Sequence, residues 1–353
     1  MYAVLMAGGS GKRLWPLATE AHGKPFLRPS GRESLLELAY QHARALTRTT
    51  SQIFVATHKA FAPLVRTHIP KLPDTQIIVE PEARDTAAAL AFAIANLLAR
   101  GAAPDDTLIQ LPGDSLVTNV SAYRRALRLA IDLVQTFPDS TALLGERPLY
   151  PETGYGYIEV GAPSGVRGTF RVRRFIEKPT HERAVGLVAS TRYWWNTGVY
   201  VWKIGTLVSL FRTHAPVFAD GIEKLTMILR ARPSATHAID RAYRALPRTS
   251  IDRAVAEKQD AKTIFVATGS YGWNDVGHWD AWRVTVGKRH PHIIRRGRYA
   301  EEGCTGTFVY MDAPLRLGLS GLDDVIVVAM NDRILICRAG SSQHVKDLVN
   351  ALE

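Results

Sequence analysis

The chain has 353 residues, of which 46% are hydrophobic and 22% charged, so it is long enough to bury an ordinary globular core in one large and one smaller domain. Its formal net charge of +11 comes from arginines scattered along the whole length, without a long basic run, which speaks against a nucleic-acid partner. No apolar run approaches the roughly 20 residues of a membrane span, the apolar start lacks the basic region of a secretory signal, and two isolated cysteines exclude a disulfide framework or zinc site. We therefore expect a cytoplasmic protein that binds neither nucleic acid nor membranes.

Short apolar runs alternate with amphipathic stretches through the first half of the chain. The pattern predicts strands at 3–7, 53–57, 77–80, 107–112 and 141–145, and helices at 34–46, 59–68, 86–101 and 122–137. Strands that are apolar on both faces and separated by helices indicate an α/β fold with a mainly parallel sheet covered on each side. Ligands bind beyond the carboxyl ends of such strands, where the glycine loop at 8–11 and the LPGD turn at 111–114 lie.

The pattern changes from Tyr155 onward. GYGYIEVG, FRVRRFIEKP and YWWNTGVYVWK are longer, aromatic and alternating, which predicts antiparallel additions to the sheet. We expect helical segments near 204–232 and 250–258 and a strand near 263–267. After about 290, TGTFVYM, VIVVAM and RILICRA predict a small β-rich unit that closes with a helix. We therefore expect a large domain over 1–288 and a small C-terminal domain over 289–353.

The loop GGSGKRLWP after the first strand is typical of phosphate binding but matches neither common phosphate motif. A Walker loop needs Ser or Thr after its lysine, whereas Arg13 follows Lys12. A Rossmann loop needs a third glycine where Leu14 stands. Consecutive backbone N–H groups in a glycine turn can form an anion-binding nest, to which Lys12 and Arg13 add charge. A tight structural turn with incidental basic residues is the alternative.

This loop, with KPFL downstream, resembles the opening of the sugar-1-phosphate nucleotidyltransferases, and most of all the mannose-1-phosphate guanylyltransferases. The likeness continues in order through EPEARDTAAALA (80–91), LPGDS (111–115), PETGYGYIEVG (151–161), FIEKP (175–179), WNTGVYVW (195–202), SIDRAVAEK (250–258), GWNDVGHW (272–279) and QHVKDLV (343–349). EPEAR and SIDRAVAEK favour the guanylyl branch over the thymidylyl, uridylyl and adenylyl branches. The resemblance implies a Rossmann-like (GT-A-like), mixed and mainly parallel nucleotidyltransferase domain with a small C-terminal β-helix-like domain.

The resemblance also implies the reaction. GMP would be transferred from GTP to a sugar 1-phosphate, with mannose 1-phosphate as the first candidate, in a magnesium- or manganese-dependent enzyme that forms a homo-oligomer, expected to be a dimer. An oxygen of the sugar phosphate attacks the α-phosphorus in line and pyrophosphate leaves. Because a phosphate monoester has a second pKa of about 6, the nucleophile is already an anion and needs no general base. The protein must instead hold two polyanions and neutralise charge, using backbone N–H groups, cations and a metal held by carboxylates.

The family's pattern assigns nucleotide binding to residues of the glycine loop, of the base-recognition run EPEAR (80–84) with the two residues after it, and of the LPGD turn. These residues are Gly8, Gly9, Ser10, Gly11, Lys12, Arg13, Glu80, Arg84, Asp85, Thr86 and Gly113. Arg13 would neutralise the β- and γ-phosphates as they leave, and Lys24 would reach the α-phosphate. A salt bridge between Glu80 and Arg84 is the alternative for those two residues.

The same pattern assigns the metal to Asp114 and Asp275, which only the fold can bring together. The sugar phosphate would be bound by Gly156, Glu177, Lys178 and Asn196. Lys178 would grip the phosphate, Glu177 the sugar hydroxyls and Asn196 the ring, although Asn196 as a plain turn residue is the alternative. The implied catalytic set is Arg13, Lys24, Asp114, Lys178 and Asp275.

Several positions depart from the family's pattern. Lys12 stands where Thr is usual, Gly23 and Pro25 flank Lys24 in place of Pro and Gln, Ser115 replaces His, and Asn274 and His278 replace Ser. These changes surround the sugar-phosphate and metal region, whereas EPEAR is intact. We therefore hypothesise that guanylyl transfer is retained while the acceptor differs, for example a heptose, deoxysugar or cyclitol phosphate. A nucleotidyltransferase for another base and a non-catalytic regulatory homologue stay open.

Overall fold

The computed structural model describes residues 1–29, 31–287 and 291–352. The backbone divides into two compact units. The first unit contains Met1–Gly8, Glu37–Gly113 and Val117–Trp273, and the second contains Gly9–Leu36, Asp114–Leu116 and the chain from Asn274 onward. The expected domain boundary between 288 and 289 lies outside the described residues and stays a prediction.

The strands of the described residues are β1 Tyr2–Ala7, β2 Ile53–His58, β3 Ile77–Glu80, β4 Thr107–Pro112, β5 Leu116–Val117, β6 Thr141–Glu146, β7 Tyr157–Pro163, β8 Thr169–Ile176, β9 Tyr193–Lys203, β10 Ile264–Gly269, β11 Trp273–Asn274, β12 His292–Glu302, β13 Phe308–Ser320, β14 Val325–Met330 and β15 Arg333–Arg338. The helices are α1 Leu35–Arg44, α2 Ala62–His68, α3 Asp85–Ala99, α4 Val120–Thr136, α5 His181–Ala189, α6 Ile204–His214, α7 Pro216–Ala231, α8 Thr236–Arg244, α9 Trp279–Thr285 and α10 Val345–Leu352.

The first unit is built on a mixed sheet with the order β3-β2-β1-β4-β9-β6-β10-β8-β7. The strands β3, β2, β1 and β4 pair in parallel, as do β6 and β10, whereas β8 and β9 run against their neighbours. Every residue of β6 is buried, and so are all but the last of β2 and of β4. Strands buried on both faces need a helical cover on each side, as their unbroken apolar sequences predict.

The helix α3 lies in the core of this unit. Its residues from Ala87 to Leu97 are all buried, so it is apolar around nearly its whole circumference. Most of the residues in this stretch are alanines, whose small side chains let α7 pack closely against the helix. The start of α3 follows directly on the base-recognition run, so the buried helix anchors that run.

The second unit contains a coiled β-sheet of order β12-β13-β14-β15, in which only the last pair is antiparallel. Links of a few residues join its parallel strands, so the strands themselves must turn corners. The pairing of β12 with β13 shifts register on both sides of Arg296. Gly297 then has a φ of +92°, and a Cβ there would lie 2.4 Å from the carbonyl oxygen of Leu315. Only glycine fits this bend.

One buried cluster holds the second unit together. It joins Leu14 and Leu27, from the segment after the glycine loop, to Trp279, Tyr310 and Val345. The indole N–H of Trp279 also donates to the carbonyl of Trp15 at 2.9 Å. The residues after the glycine loop are therefore packed by side chains from the end of the chain.

The predicted fold class is confirmed: a mixed, Rossmann-like sheet with helices, followed by a β-helix-like C-terminal part. The strands of the first half fall within two residues of their predicted bounds. The helices α5, α8 and α9 and the strands β5, β11 and β12 were not predicted. The segment expected to be helical near 250–258 forms a short π-helical turn at Asp252–Ala256. Among the described residues, the helices are all too short or too polar to cross a membrane.

Candidate functional site

Within the second unit, Gly9 and Gly11 of the glycine loop are in direct contact with Lys24. Gly11 is left-handed, with a φ of +71°, and a Cβ at this position would lie 2.9 Å from the Cβ of Lys24. The N–H of Lys24 donates to the carbonyl of Gly9 at 3.1 Å. Position 11 therefore requires glycine both for its backbone conformation and for the close approach of Lys24.

Lys24 and Asp114 form an ion pair beside this loop. The Nζ of Lys24 lies 3.1 Å from Oδ2 of Asp114, and only 6% of the lysine is exposed. A Cβ on Gly9 would lie 3.2 Å from the same carboxylate oxygen, so the carboxylate rests against the loop backbone. Burying a cation without a partner is costly. The carboxylate of Asp114 therefore stabilises the buried ammonium group of Lys24. Two predicted catalytic residues are brought together here.

The two basic residues of the loop have different partners. Arg13 donates from Nη1 to Oε1 of Gln343 at 2.5 Å, across 330 positions of sequence. The Nζ of Lys12 lies 3.4 Å from the carboxylate of Glu20, which is largely exposed. The guanidinium is thus oriented by a neutral amide, whereas the ammonium pairs with an acid. Gln343 was not predicted as a site residue, although it lies in the QHVKDLV motif.

Asp275 belongs to the same unit as Asp114 and sits in a strained turn. Its Oδ1 accepts the N–H of Gly277 at 2.9 Å. Val276 between them has a φ of +42°, which is costly for a β-branched residue. The side chain of Asn274 accepts the N–H of Val276 at 2.7 Å and stabilises the turn. Asn274, one of the departures from the family's pattern, thus has a structural role next to Asp275.

His278, a second departure, begins the helix α9. Its Nδ1 lies 3.1 Å from Oγ of Ser342 and 3.4 Å from the N–H of Ala281, so it caps the helix and contacts the C-terminal segment. Only 5% of the histidine is exposed. This residue therefore also has a structural explanation within the second unit.

In the first unit, the ends of β1 and β4 are joined at the start of the two loops. Met6 pairs with Pro112, and the N–H of Gly113 donates to the carbonyl of Met6 at 2.9 Å. A Cβ on Gly8 would meet nothing within 4 Å. The backbone there is open to a ligand.

Glu80 ends β3 and is buried, with 5% exposure. Its carboxylate accepts the hydroxyl of Tyr243 at 2.5 Å. Burial raises the pKa of Glu80 to about 7, the Tyr243 hydrogen bond opposes that rise, and the charge of Asp85 adds to it. The carboxyl is occupied by Tyr243, and the alternative of a salt bridge to Arg84 is not what the structure contains.

The rest of the base-recognition run is braced by the segment before Asp252. Arg84 donates to Glu82 at 2.5 Å and to the carbonyl of Leu246 at 2.6 Å. Thr86 accepts the N–H of Ile251 at 2.9 Å. Asp85 starts α3 with a φ of +65°, and its carboxylate accepts the N–H of Thr86. These side chains shape a turn whose residues 81–86 are partly or largely exposed.

Three of the four predicted sugar-phosphate residues meet at one point in the first unit. A Cβ on Gly156 would lie 2.7 Å from a carboxylate oxygen of Glu177 and 3.5 Å from the Cβ of Asn196. The carboxylate of Glu177 also lies 3.0 Å from Nζ of Lys178, whose side chain is 59% exposed. Lys178 has a φ of +42°. The glycine at position 156 therefore allows the carboxylate of Glu177 to approach the backbone closely, beside the side chain of Asn196 and the exposed cation of Lys178.

Asn196 belongs to a side-chain network that the sequence did not predict. Its Nδ2 donates to Oδ1 of Asp252 at 3.0 Å, and the hydroxyl of Tyr200 donates to the same oxygen at 2.5 Å. Burial raises the pKa of Asp252, the Tyr200 hydrogen bond opposes the rise and the charge of Glu177 adds to it. Asp252 lies in the SIDRAVAEK motif and in the π-helical turn, a feature often found at functional sites.

Backbone strain adjoins these residues. Five non-glycine residues of the described chain have a positive φ, and three of them, Asp85, Lys178 and Val276, are predicted site residues or directly follow one. Such conformations cost of order 1–3 kcal/mol each and persist where the surroundings enforce them. The strain therefore coincides with the regions that sequence assigns to the base, the sugar phosphate and the metal.

The comparisons with known proteins cover the whole chain. The nucleotidyl transferase family model matches residues 2–286, and the mannoseP isomerase/GMP-like beta-helix domain model matches residues 304–352. The chain is 29% identical to a mannose-1-phosphate guanylyltransferase of Escherichia coli, over 99% of this chain and 75% of that protein. It is 31% identical to the alginate biosynthesis protein AlgA of Pseudomonas fluorescens, over 100% of this chain and 72% of that protein.

A solved structure is similar over nearly its full length. The crystal structure described as mannose-1-phosphate geranyltransferase from Thermus thermophilus shares 32% sequence identity and a TM-score of 0.84, covering 99% of this chain and 98% of that one. The predicted enzyme class and family are thereby confirmed. With a family model matched over most of its length, the chain belongs to the nucleotidyl transferase family.

Proposed function

We propose that this enzyme transfers GMP from GTP to a sugar 1-phosphate, releasing pyrophosphate, with mannose 1-phosphate as the first acceptor to test. The observation that carries the proposal is the Lys24–Asp114 ion pair held against the glycine loop. This arrangement places a cation and a carboxylate against a glycine loop, and phosphoryl transfer requires cations, carboxylates for a metal and backbone N–H groups. The similarity to relatives named mannose-1-phosphate guanylyltransferase supports the choice of base and sugar.

In the proposed reaction, a phosphate oxygen of the sugar 1-phosphate forms a bond to the α-phosphorus of GTP. The bond from that phosphorus to the oxygen bridging to the β-phosphate breaks, and this oxygen leaves with the electron pair as pyrophosphate. Lys24 would neutralise the α-phosphate, and Arg13 the leaving β- and γ-phosphates. No proton needs to move, because the nucleophile is an anion at neutral pH.

Asp114 and Asp275 are the residues that we assign to a magnesium or manganese ion. Two carboxylates fit Mg²⁺, which binds proteins through one or two carboxylates and completes its shell with water and phosphate oxygens. When bound, the ion would add positive charge to the phosphates.

We assign the sugar phosphate to Lys178, Glu177, Asn196 and the backbone at Gly156. Glu177 and Asn196 offer acceptors and donors for hydroxyl groups beside an exposed ammonium. For the base, the carboxylate of Glu80 is occupied by Tyr243. We therefore assign guanine to the backbone of the turn at 81–86, whose residues are partly or largely exposed. Glu80 would stabilise the start of this turn through its hydrogen bond with Tyr243.

A different acceptor is the second candidate. It is favoured by Ser115 and Gly23, which lie beside Asp114 and Lys24 and depart from the family's pattern. Asn274 and His278 no longer support it, because both have structural partners.

The test is a matrix of pyrophosphate release with GTP, ATP, UTP, CTP and dTTP against a panel of sugar 1-phosphates. We expect GTP with mannose 1-phosphate to give a kcat/KM on the order of 10⁴ M⁻¹s⁻¹ or better. A better acceptor on the panel would select the second candidate, and a different preferred base would refute guanylyl transfer. Asp114→Asn and Asp275→Asn should abolish metal-dependent release, with the exposed Asp332→Asn as the matched control.

A further inference from the structure

The contact between Arg13 and Gln343 links the first residues after the glycine loop to the end of the chain. The guanidinium donates to the amide oxygen at 2.5 Å. Leu14, the neighbour of Arg13, is fully buried in the same cluster as Val345, two residues beyond Gln343. The position of Arg13 is therefore set by side-chain contacts that it and Leu14 make with Gln343 and Val345.

The segment that carries Gln343 is itself fixed firmly. The N–H of Ser342 donates to the carboxylate of Asp280 at 3.1 Å, and its hydroxyl to the same carboxylate at 2.5 Å. The other oxygen of Asp280 accepts the N–H of Gly340 at 2.6 Å. Ser342 is fully buried and also contacts His278. Because the preceding residue is held at several points, the side chain of Gln343 starts from a fixed backbone.

The chemical nature of this partner is informative. A carboxylate would orient a guanidinium more strongly than an amide does. It would also cancel the charge that a polyphosphate needs and would repel the anion. An amide oxygen orients the guanidinium and leaves its full positive charge. Elsewhere in the chain, arginines outside the assigned site pair with acids, as Arg66 does with Asp74 and Arg296 with Asp312.

We propose that Gln343 is a positioning residue, which aims the Arg13 guanidinium at the β- and γ-phosphates without neutralising it, so that the C-terminal segment sets the affinity of this enzyme for the triphosphate. This inference rests on the proposed function, in which Arg13 meets the leaving pyrophosphate. It assigns Gln343 no contact with the reacting atoms.

The variants Gln343→Ala and Gln343→Glu test the proposal. Loss of a hydrogen bond to a charged group predicts that Gln343→Ala raises the KM for GTP, and the Kd for GTP measured by calorimetry without acceptor, about 10-fold. The near-isosteric Gln343→Glu should raise both by about 100-fold, because it adds a charge that pairs with Arg13. The KM for the sugar phosphate should stay within about twofold. Ser341→Ala, which removes a local hydrogen bond in the same turn, is the matched control.

A double-mutant cycle separates positioning from a general effect on folding. In an Arg13→Ala background, Gln343→Ala should add nothing to the loss of GTP affinity, because it acts through Arg13. Melting curves should show Gln343→Glu at least as stable as the parent, while it binds GTP more weakly. A purely structural role would lower both together.

The outcomes also separate this proposal from the proposed function. If the parent enzyme transfers GMP normally and Gln343→Glu binds GTP as well as the parent, the positioning role is refuted and the function stands. The positioning role is equally refuted if the losses from Arg13→Ala and Gln343→Ala multiply. A third outcome is that the parent shows no turnover, while GTP affinity decreases from the parent to Gln343→Ala and further to Gln343→Glu. In that case the proposed reaction fails and the positioning of Arg13 is supported.

Discussion

Glu80 predicts a pH dependence of stability that can be measured directly. Its ordinary pKa of 4.5 rises to about 7 in the folded chain because the carboxyl is buried. A carboxyl with a raised pKa binds its proton more tightly in the folded state, so ionisation at higher pH favours unfolding. The penalty is absent below the unfolded pKa, grows as the pH rises from about 4.5, and is complete above about 7.

The magnitude follows from the shift. A difference of about 2.5 pKa units corresponds to about 3 kcal/mol at full ionisation, at 1.36 kcal/mol per unit. Between about pH 5 and about pH 8.5, the free energy of unfolding should fall by about 2.5 kcal/mol because of this residue alone. Glu80→Gln removes the titration while its amide oxygen can still accept the hydroxyl of Tyr243.

Urea unfolding of the parent and of Glu80→Gln across this pH range is the assay. Other titrating groups contribute equally to both proteins, so they cancel in the difference between the two free energies. We expect the variant to gain about 2.5 kcal/mol relative to the parent from the acidic to the alkaline end. Two curves that stay parallel within about 0.5 kcal/mol would show that Glu80 titrates normally, and would refute the role assigned to its burial.

Three further changes test the site. Gly156→Ala places a methyl group 2.7 Å from a carboxylate oxygen of Glu177, so we expect the KM for the sugar phosphate to rise by about tenfold or more while the KM for GTP is unchanged, as steady-state kinetics would show. Gly11→Ala combines a left-handed φ with a clash against Lys24; it should cost about 1–3 kcal/mol of stability in urea unfolding and lower kcat/KM for GTP. Asp252→Ala removes the shared acceptor of two side chains, so kcat/KM should fall about 10- to 100-fold with the sugar phosphate while calorimetric GTP affinity is retained; an equal loss of GTP affinity would contradict this assignment.

Local pattern was enough to predict the elements whose sequence periodicity matches their burial. The apolar strand β2 and the buried helix α3 are examples, since each is buried on all faces and carries an unbroken apolar sequence. The glycine loop was also readable, because a left-handed Gly11 has a local chemical signature. Features that depend on one residue and its immediate neighbours are accessible from sequence.

Pairings across long stretches of chain were not accessible in this way. The strand β9 lies antiparallel between β4 and β6, and no local signal in YWWNTGVYVWK states which strands it joins. The contact of Arg13 with Gln343 spans 330 positions, and the hydrogen bond of Asn196 to Asp252 spans 56. Both partners lie in motifs that resemblance had marked, but their roles appear only once the fold brings them to a site residue.

The core of the second unit also has a consequence for the order in which the chain is made. Leu14 and Leu27 leave the ribosome early, whereas Trp279, Tyr310 and Val345, which bury them, are synthesised roughly 250 to 330 residues later. At roughly 5–20 residues per second, the segment after the glycine loop waits roughly 12 to 66 s for its packing partners. The segment that follows the glycine loop is therefore among the first parts of the chain to be translated and among the last to be packed.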